Sequence, residues 1–437
     1  MKPSLQLFLG LCILANTARA AEWPQWRGPA GQGHATAKNL PTEWSETKNV
    51  TWKTPLPGRG WSSPVIEGEH IWMTTAVEQA ASEEEIKNRL KANTGGQPLT
   101  VLQEVRLHAV CVDRASGRIL HNIEVLRQRE PQWVHKLNSY ASPSPVIEDG
   151  RLYCHFGAYG TACVETASGK VKWRNQELAV HHENGPGSTP VIWKDLLIFH
   201  MDGSDKQFVV ALDKATGKVR WQTPRSGKLN ENPQLKKSYG TPLVIENNGK
   251  PQLISPGADW VYAYDPATGR ELWKLPYGEL GFSISPRPVV GHGMIFMSTS
   301  FMRPQILAIR YEQTAQPHIA WSVKRGAPQM PSPILIGDEL YFISDAGGLV
   351  TCLDAHTGKE LWQERLGGNY SASPTFADGK LFFHSREGLT TVVQPDKTKL
   401  QVLSKNQLEG QHMATLSLAG SALFLRTDTA LYRIEKK

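Results

Sequence analysis

The stretch Ala211-Leu212-Asp213-Lys214-Ala215-Thr216-Gly217-Lys218-Val219-Arg220-Trp221 decides the fold, because versions of it recur along the chain. In each version an apolar strand ends at an acidic residue, a turn follows, and a second strand carries a Trp. The same spacing relates Asp265 to Trp273, Asp354 to Trp362, and Glu165 to Trp173. The acidic side chain accepts backbone N–H groups in the turn and Gly supplies a positive φ, so the second strand returns antiparallel. A Trp at fixed phase can pack its ring against the neighbouring unit.

A second marker stands upstream of each copy and consists of a small or polar residue, a Pro and two or three β-formers. Its copies begin at Ser63-Pro64, Ser144-Pro145, Thr189-Pro190, Thr241-Pro242, Arg287-Pro288, Ser332-Pro333 and Ser373-Pro374. A Pro cannot donate to a central ladder, so each Pro should open its strand. These copies define seven units, and an eighth, without the Pro, fits Met413 to Glu435.

Each unit has room for four short antiparallel strands, and such units repeated every 40 to 50 residues or so are typical of β-propeller blades. The sequence therefore predicts an all-β, eight-bladed β-propeller. The eighth unit runs out of chain after its third strand. Asn49–Lys53 looks like a lone fourth strand with Trp52 at the right phase, so we expect it to close the last blade and leave no open sheet edge.

Residues 1–20 have the pattern of a secretory signal peptide, with a basic start, an apolar run and Ala18-Arg19-Ala20 before a cleavage site near Ala20. No other stretch approaches the length of a transmembrane helix. We therefore expect a periplasmic or extracellular protein without a membrane span. Removing Lys2 and Arg19 from the 48 basic residues leaves 46 against 41 acidic ones, a charge of +5. No basic aromatic surface of the nucleic-acid-binding type accompanies it, so no nucleic-acid partner is expected.

Three segments follow the signal peptide. Residues 21–48, with two Trp between Pro and Gly, suggest a strap packed on the propeller rim, and residues 49–437 form a single propeller. Blade one holds the only large insertion, 77–104, in which Ser82 and Glu85 make a helix capping box. This helix is either a decoration or a handle for a partner.

The cysteines predict no metal site, since they lack the CxxC spacing. Cys111, Cys163 and Cys352 each precede a turn acid by two positions and suit small buried strand residues. Cys154 and Cys163 could face each other across a hairpin. Direct cross-strand disulfides are strained, so we expect free thiols.

The repeated Asp-x-x-Thr-Gly-Lys-x-x-Trp and Ser-Ser-Pro-Val patterns resemble the pyrroloquinoline-quinone (PQQ) propeller repeat over nearly the whole mature chain. The opening Trp23-Pro24-Gln25-Trp26-Arg27-Gly28-Pro29 and Pro57-Gly58-Arg59-Gly60-Trp61 are similar to exported PQQ-like repeat proteins of planctomycete-type bacteria. The superfamily includes quinoprotein alcohol dehydrogenases and the lipoprotein subunit of the outer-membrane β-barrel assembly machine. Fold alone does not choose between these functions.

Each resemblance implies parts that can be sought in the sequence. The dehydrogenases hold the quinone between a Trp and a disulfide of adjacent cysteines, bind Ca²⁺ through Glu, Asn and Asp, and use an Asp as base. This chain has no adjacent Cys pair and lacks their long inter-blade insertions. It also lacks a lipid-bearing Cys, because Leu11 precedes Cys12 where a small residue is needed. We expect a non-catalytic binding or scaffold propeller without a cofactor; the alternative is a PQQ- and calcium-dependent dehydrogenase of alcohols or sugars.

The binding site of such a propeller should lie at the mouth of its channel, where the loops that lead into the innermost strands converge. The candidate ligand-binding residues are Arg59, Trp61, Tyr140, Glu183, Asn184, Tyr239 and Tyr370. Arg59 could pair with an anion, the aromatic rings could stack on a ligand, and Glu183 and Asn184 could orient it. Alternatively, the aromatic rings only plug the channel. We expect the ligand to be an envelope protein, a sugar or another small molecule. We also expect the protein to be a monomer. No metal is expected at His181-His182, because adjacent side chains on an extended chain point apart.

Overall fold

Eight four-stranded antiparallel sheets make up the chain in a computed structural model that describes residues 22–93, 96–278, 281–314 and 316–437. The sheets are the blades of a β-propeller, so the predicted eight-bladed, all-β fold is confirmed. The proposed signal peptide, residues 1–20, lies outside the described residues. Among the described residues, no helix combines the length and apolar character needed to cross a membrane.

The blades follow one another in chain order, and in each the strands run from the propeller axis outward. The first four blades comprise Val65–Glu67, His70–Ala80, Leu102–Asp113 and Ile119–Arg129; Val146–Glu148, Arg151–His155, Thr161–Glu165 and Val171–Asn175; Val191–Trp193, Leu196–Asp202, Gln207–Asp213 and Val219–Pro224; and Leu243–Asn247, Lys250–Pro256, Trp260–Tyr264 and Glu271–Pro276. Blades five to seven comprise Val289–Gly291, Met294–Ser298, Ile306–Arg310 and His318–Val323; Ile334–Ile336, Glu339–Ile343, Leu349–Asp354 and Glu360–Arg365; and Thr375–Ala377, Lys380–His384, Leu389–Gln394 and Gln401–Gln407.

Blade eight is built from both ends of the chain. Its inner strands are Ser417–Ala419, Ala422–Arg426 and Ala430–Glu435, and its outermost strand is Val50–Pro55. The last two pair antiparallel, with Trp52 opposite Arg433. The predicted closure by an N-terminal strand is therefore confirmed, and the ring leaves no unpaired edge between its first and last blades.

In the part of the chain that the structure describes, a recurring Trp joins five of the eight blades to the next one. The Nε1–H groups of Trp173 and Trp221 donate to the backbone oxygens of Lys214 and Pro266, in the turns of the following blades. Trp52, Trp321 and Trp362 make the equivalent bond. Trp321 could not be identified in the sequence by the spacing between acid and Trp, because the turn between the last two strands of blade five is longer than in the other blades. Trp273 is an exception, since it donates to Gln252 Oε1 of its own blade.

The small residue before each Pro belongs to a ring of hydrogen bonds around the axis, which we call the hydroxyl ring. In seven of its steps, a backbone N–H donates to the hydroxyl of the next blade at 2.8 to 3.2 Å. Its members are Ser63, Ser144, Thr189, Thr241, Arg287, Ser332, Ser373 and Thr415. Arg287 has no hydroxyl, so the step from Thr241 cannot be made. The Ser/Thr-Pro marker is thus a contact between blades as well as the start of a strand.

Residues 22–48, which we call the strap, first cross the axis at one end of the propeller and then run outward to the outermost strand of blade seven, so that only their last part lies at the rim, where the whole strap was expected. Trp23 exchanges two backbone bonds with Ile66 of blade one. Further bonds reach the innermost strands of blades two, five, six and seven, at Ile147, Val290, Leu335 and Phe376. Arg287 holds the strap on this path through hydrogen bonds, because its guanidinium donates to Gln25 Oε1 and to the backbone oxygen of Trp26.

The insertion in blade one consists of two lengthened strands and the helix Glu83–Leu90, whose first turn is capped by the hydroxyl of Ser82. Short strands pair Leu99–Thr100 with Val134–His135, and Gly281–Phe282 with Phe301–Met302. Single 3₁₀ turns occur at Gly157–Tyr159 and Pro233–Leu235.

The register of blade two decides the relation between its two cysteines. Cys154 pairs with Ala162, and Cys163 pairs with Tyr153. Because neighbouring side chains on a strand point to opposite faces, the two thiols lie on opposite sides of the blade and in different hydrophobic clusters. A disulfide between them would require the strand to shift its register.

Candidate functional site

A cavity of about 820 Å³ occupies the propeller axis and is the candidate functional site. Its walls come from the loops that join successive blades and, deeper in, from the hydroxyl ring. Its aromatic lining residues are Trp26, Trp61, Trp133, Tyr239, Phe282 and Phe301, and its amide side chains are Asn93, Gln97, Asn138, Asn184, Gln234, Gln329 and Asn369. Four of the described lining residues are charged: Glu183, Lys237, Asp345 and Arg386. Mostly apolar walls with a few polar groups are typical of binding sites.

Trp26 of the strap forms the floor of this cavity. Its indole N–H donates to Thr415 Oγ1 of the hydroxyl ring at 3.1 Å. The neighbouring Arg27 is fully buried and donates to the backbone oxygen of Pro333. The strap therefore seals one end of the axis, and the end at the loops between blades is the mouth.

Four of the residues predicted from sequence, Trp61, Glu183, Asn184 and Tyr239, line the cavity. The hydroxyl of Tyr239 donates to the backbone oxygen of His182, which fixes the ring against the wall. Glu183, at a φ of +66°, accepts the hydroxyl of Ser204 at 2.9 Å. Trp61, the adjacent pair Glu183-Asn184, and Tyr239 come from three loops far apart in sequence, and the closed ring brings them together.

The other three predicted residues lie elsewhere. Arg59 sits beside the cavity, with its guanidinium 5.2 Å from the ring of Trp61 and donating to the backbone oxygen of Lys136. Tyr140 is fully buried and donates its hydroxyl to the backbone oxygen of Gln132. Tyr370 is 1% exposed and packs in the core between blades six and seven. The two tyrosines stand behind the wall because their side chains turn away from the axis, so a ligand in the cavity cannot reach them.

The adjacent histidines at the same wall point apart, as expected. His182 is buried, and its Nε2 accepts the backbone N–H of Ala158 at 3.0 Å. His181 is exposed, and its backbone N–H donates to Asp205 Oδ1.

Among the residues that the structure describes, the cavity is lined by two acidic and two basic side chains. Lys237 is 1% exposed, and burial lowers the pKa of its ammonium to about 8, although the Glu183 carboxylate partly opposes this. Its Nζ donates to Gln234 Oε1 at 2.6 Å. Burial likewise raises the pKa of the Asp345 carboxyl, even though its oxygens accept the backbone N–H groups of Gln329 and Met330.

The mouth carries exposed apolar side chains. Phe301 and Met302 are 47% and 61% exposed, and Leu137, across the mouth, is 42% exposed. Phe301 packs edge to face on Phe282 across the short strand pair that holds both of them. We call Leu137, Phe301 and Met302 the apolar rim.

Sequence reasoning missed the floor and much of the rim because it considered only the loops that lead into the innermost strands. Trp26 comes from the strap, and Phe301, Asp345 and Arg386 come from loops between the second and third strands of their blades. The sequence did contain a signal for the apolar rim: Phe301 and Met302 form an apolar pair within a loop, where polar residues are usual. The insertion also contributes, since Asn93 and Gln97 reach the mouth.

The cavity does not fit the parts that a quinone and Ca²⁺ require. The four cysteines that the structure describes are buried within blades, and none of them lines the cavity. Glu183 and Asp345 come from different blades, and both oxygens of Asp345 are already engaged by backbone N–H groups. Within the described ranges, the three-residue group spaced to hold a metal lies outside this cavity, at His292, Asp338 and His356.

A family model described as "Outer membrane protein assembly factor BamB" matches residues 34–223 and 257–433. The chain belongs to this family of PQQ-like propellers. It is 23% identical over 254 residues to the outer membrane protein assembly factor BamB of Moranella endobia (strain PCIT). That match covers 56% of the chain and spans 59% of the relative's length.

Two solved structures share the fold at low sequence identity. The BamB of Moraxella catarrhalis superposes with a TM-score of 0.52 at 14% identity, covering 77% of this chain and 100% of that one. The quinohemoprotein alcohol dehydrogenase of Comamonas testosteroni superposes with a TM-score of 0.62 at 11% identity, covering 97% and 82%. An outer membrane protein assembly factor and an alcohol dehydrogenase thus share the architecture, and the fold alone does not choose between their functions.

Proposed function

We propose that this protein is a binding scaffold of the bacterial cell envelope that holds a projecting segment of a protein partner in its axial cavity. The observation that carries the proposal is the shape of the cavity, which is closed by Trp26 at one end and carries the exposed apolar side chains Leu137, Phe301 and Met302 at the other. A blind funnel accepts a loop or a chain terminus rather than a flat surface.

The lining supports a peptide segment as the occupant. The exposed apolar surface of Phe301 and Met302 is unfavourable in water. A partner side chain that covers it stabilises the complex by about 25 cal/mol for each Å² of apolar surface buried. Aromatic residues in a pocket are the usual centres of binding energy at protein interfaces. The side-chain amides of Gln329 and Asn369 can pair with backbone groups of an extended segment.

The family supports the location and the general role. Its model carries the description of an outer membrane protein assembly factor. An exported scaffold that gathers the components of an envelope assembly needs a binding surface and no reactive group. In support of this role, the carboxylate of Asp345 accepts two backbone N–H groups and that of Glu183 accepts the hydroxyl of Ser204, so both acids have structural partners.

The test is site-specific photo-crosslinking in the native host. A photoreactive amino acid replaces Phe301, and in a matched control it replaces Ile319 on the outermost strand of the same blade, where 37% of the side chain is exposed. We expect a discrete cross-linked product with one envelope protein from position 301, weakened by Met302→Glu, and none from position 319.

Equal labelling from both positions would overturn the proposal, because it would mean that the mouth has no preference for a partner. Binding of a purified sugar that Trp61→Ala abolishes, with no protein cross-linked at position 301, would also overturn it and favour a carbohydrate-binding propeller.

A further inference from the structure

Three side chains meet on the face of the propeller opposite the mouth, at the boundary between blades five and six. His292 lies in the turn between the first two strands of blade five. Asp338 occupies the same turn of blade six, and His356 lies in the turn between the last two strands of that blade. Nothing in the axial cavity involves these residues, and they are separate from the proposed partner site.

The ligand atoms of the three side chains converge on a small volume. Asp338 Oδ1 is 3.4 Å from His292 Nε2 and 3.2 Å from His356 Nε2. The two imidazole rings pack with their centroids 4.1 Å apart. All three ligand atoms lie within 4.8 Å of one another. The three ligand atoms are therefore close enough together to coordinate one ion.

We propose that His292, Asp338 and His356 bind a divalent transition-metal ion of the zinc class. In a tetrahedral site with bonds of about 2.0 to 2.1 Å, neighbouring ligand atoms are about 3.3 Å apart. The two His-to-Asp distances match this value. Two imidazoles and one carboxylate suit Zn²⁺, Ni²⁺ or Cu²⁺ and suit Ca²⁺ or Mg²⁺ poorly, because the latter prefer oxygen ligands.

The backbone positions the three ligands before any ion arrives. The backbone oxygen of Asp338 accepts the N–H of Ala355, the residue before His356, at 2.8 Å, so the two turns of blade six are tied together. His292 Nε2 lies 3.0 Å from the backbone oxygen of Gly337, which holds the turn of blade five close by. To bind the ion, His292 gives up this contact and coordinates through an unprotonated Nε2, so the neutral ring carries its one proton on Nδ1; a ring that was an imidazolium releases its second proton to water.

The ion would connect two blades. His292 belongs to blade five, and both other ligands belong to blade six, so the metal bridges a boundary that the hydroxyl ring and Trp321 join elsewhere. All three side chains are partly exposed, at 25%, 69% and 49%, which leaves the fourth position open to water. The site is therefore a clamp at the surface that stabilises the folded ring.

Isothermal titration of the tag-free, metal-stripped protein with Zn²⁺ tests the proposal. We expect one saturable site with a micromolar or lower Kd, and a rise in the melting temperature that a chelator reverses. His356→Ala and Asp338→Asn should each weaken binding at least tenfold and abolish the rise. His318→Ala, an exposed histidine on the outermost strand of blade five, is the matched control and should leave both unchanged.

Two outcomes would overturn the site. One is the absence of saturable Zn²⁺ binding by the folded wild-type protein. The other is unchanged binding in the His356→Ala and Asp338→Asn variants, which would place the ion elsewhere. Circular dichroism confirms that each variant is folded, so loss of binding cannot be ascribed to unfolding.

Discussion

The indole ring of Trp221 in blade three lies against Gly269, the turn glycine of blade four, so closely that no side chain fits between them. A Cβ added to Gly269 would come 2.4 Å from Cε3 of Trp221. The residue also has a φ of +74°, a conformation that suits glycine. Glycine in this turn therefore serves two purposes: it turns the chain, and it makes room for the Trp of the preceding blade.

The first prediction separates these two purposes. Gly269→Ala should lower the free energy of unfolding by about 2 to 4 kcal/mol, because a left-handed backbone and a forced displacement of Trp221 both contribute. The matched control is Gly249→Ala, at a φ of +71° with no atom within 4 Å. It carries only the backbone strain and should cost about 1 kcal/mol. Urea denaturation measures both, and equal losses would contradict the packing role.

The second prediction concerns the closing strand. Deleting Val50–Pro55 exposes the edge of Ala430–Glu435 and removes the contact of Trp52 with the turn of blade one. We expect a large fall in the melting temperature and concentration-dependent aggregation, since an unpaired edge recruits other chains. Deleting the helix Glu83–Leu90, which has no buried residue, is the control and should change the melting temperature little. Equal stability of the strand deletion and the intact protein would disprove the closure.

The third prediction uses the pH dependence of the Lys237 variant. The pKa of this ammonium is lowered from 10.5 to about 8 by burial, so the folded state binds the proton more weakly than the unfolded state. Below pH 8 the charge destabilises the fold in full, and the penalty fades as the pH rises toward 10.5. Lys237→Met should therefore stabilise the protein by about 2 kcal/mol at pH 7 and progressively less above pH 8.

Lys236→Met, the change one residue earlier, is the control for Lys237 and should give no comparable gain. Denaturant titrations at pH 7, 8, 9 and 10 make the comparison. A stabilisation by Lys237→Met that is constant over this range would show that the ammonium is not the cause.

The fourth prediction tests the enzymatic alternative. The purified protein, supplied with PQQ and Ca²⁺, should not reduce an artificial electron acceptor when alcohols or sugars are offered, because the carboxylates of Glu183 and Asp345 come from different blades and already have hydrogen-bond partners. A quinoprotein alcohol dehydrogenase assayed in parallel is the positive control. Substrate-dependent turnover that disappears on chelation of Ca²⁺ would refute the scaffold proposal.

The fold could be predicted from the sequence because the residues that form each turn and each contact between blades lie close together within one repeat. An acid, a turn glycine and a Trp at fixed spacing recur, and their contacts involve neighbouring units only. Trp52, far from the last repeat in sequence, could still be assigned to blade eight, because its phase matched the other copies. The path of the strap could not be predicted, since it depends on Arg287 in blade five, more than 250 residues away in the chain.

The candidate site could be predicted only in part. Repeat phase brought Trp61, Glu183, Asn184 and Tyr239 to the mouth, because loops at the same phase converge on the axis. Phase does not fix the direction of a side chain, so Tyr140 could not be recognised as a core residue. The cluster of His292, Asp338 and His356 could not be predicted, because His356 lies in a different turn from the other two and the three residues meet only across the boundary between two blades.

The gap at Arg287 in the hydroxyl ring breaks what would otherwise be a near eightfold symmetry. The strap is joined to the closing strand Val50–Pro55, but the middle of the strap would still meet similar positions on neighbouring blades if all eight blades were alike. One arginine in place of a Ser or Thr marks a single blade, and it grips Gln25 and Trp26 there. Arg287 therefore makes one blade different from the others and fixes where the strap binds around the ring. As a result, Trp26 keeps one orientation relative to the apolar rim.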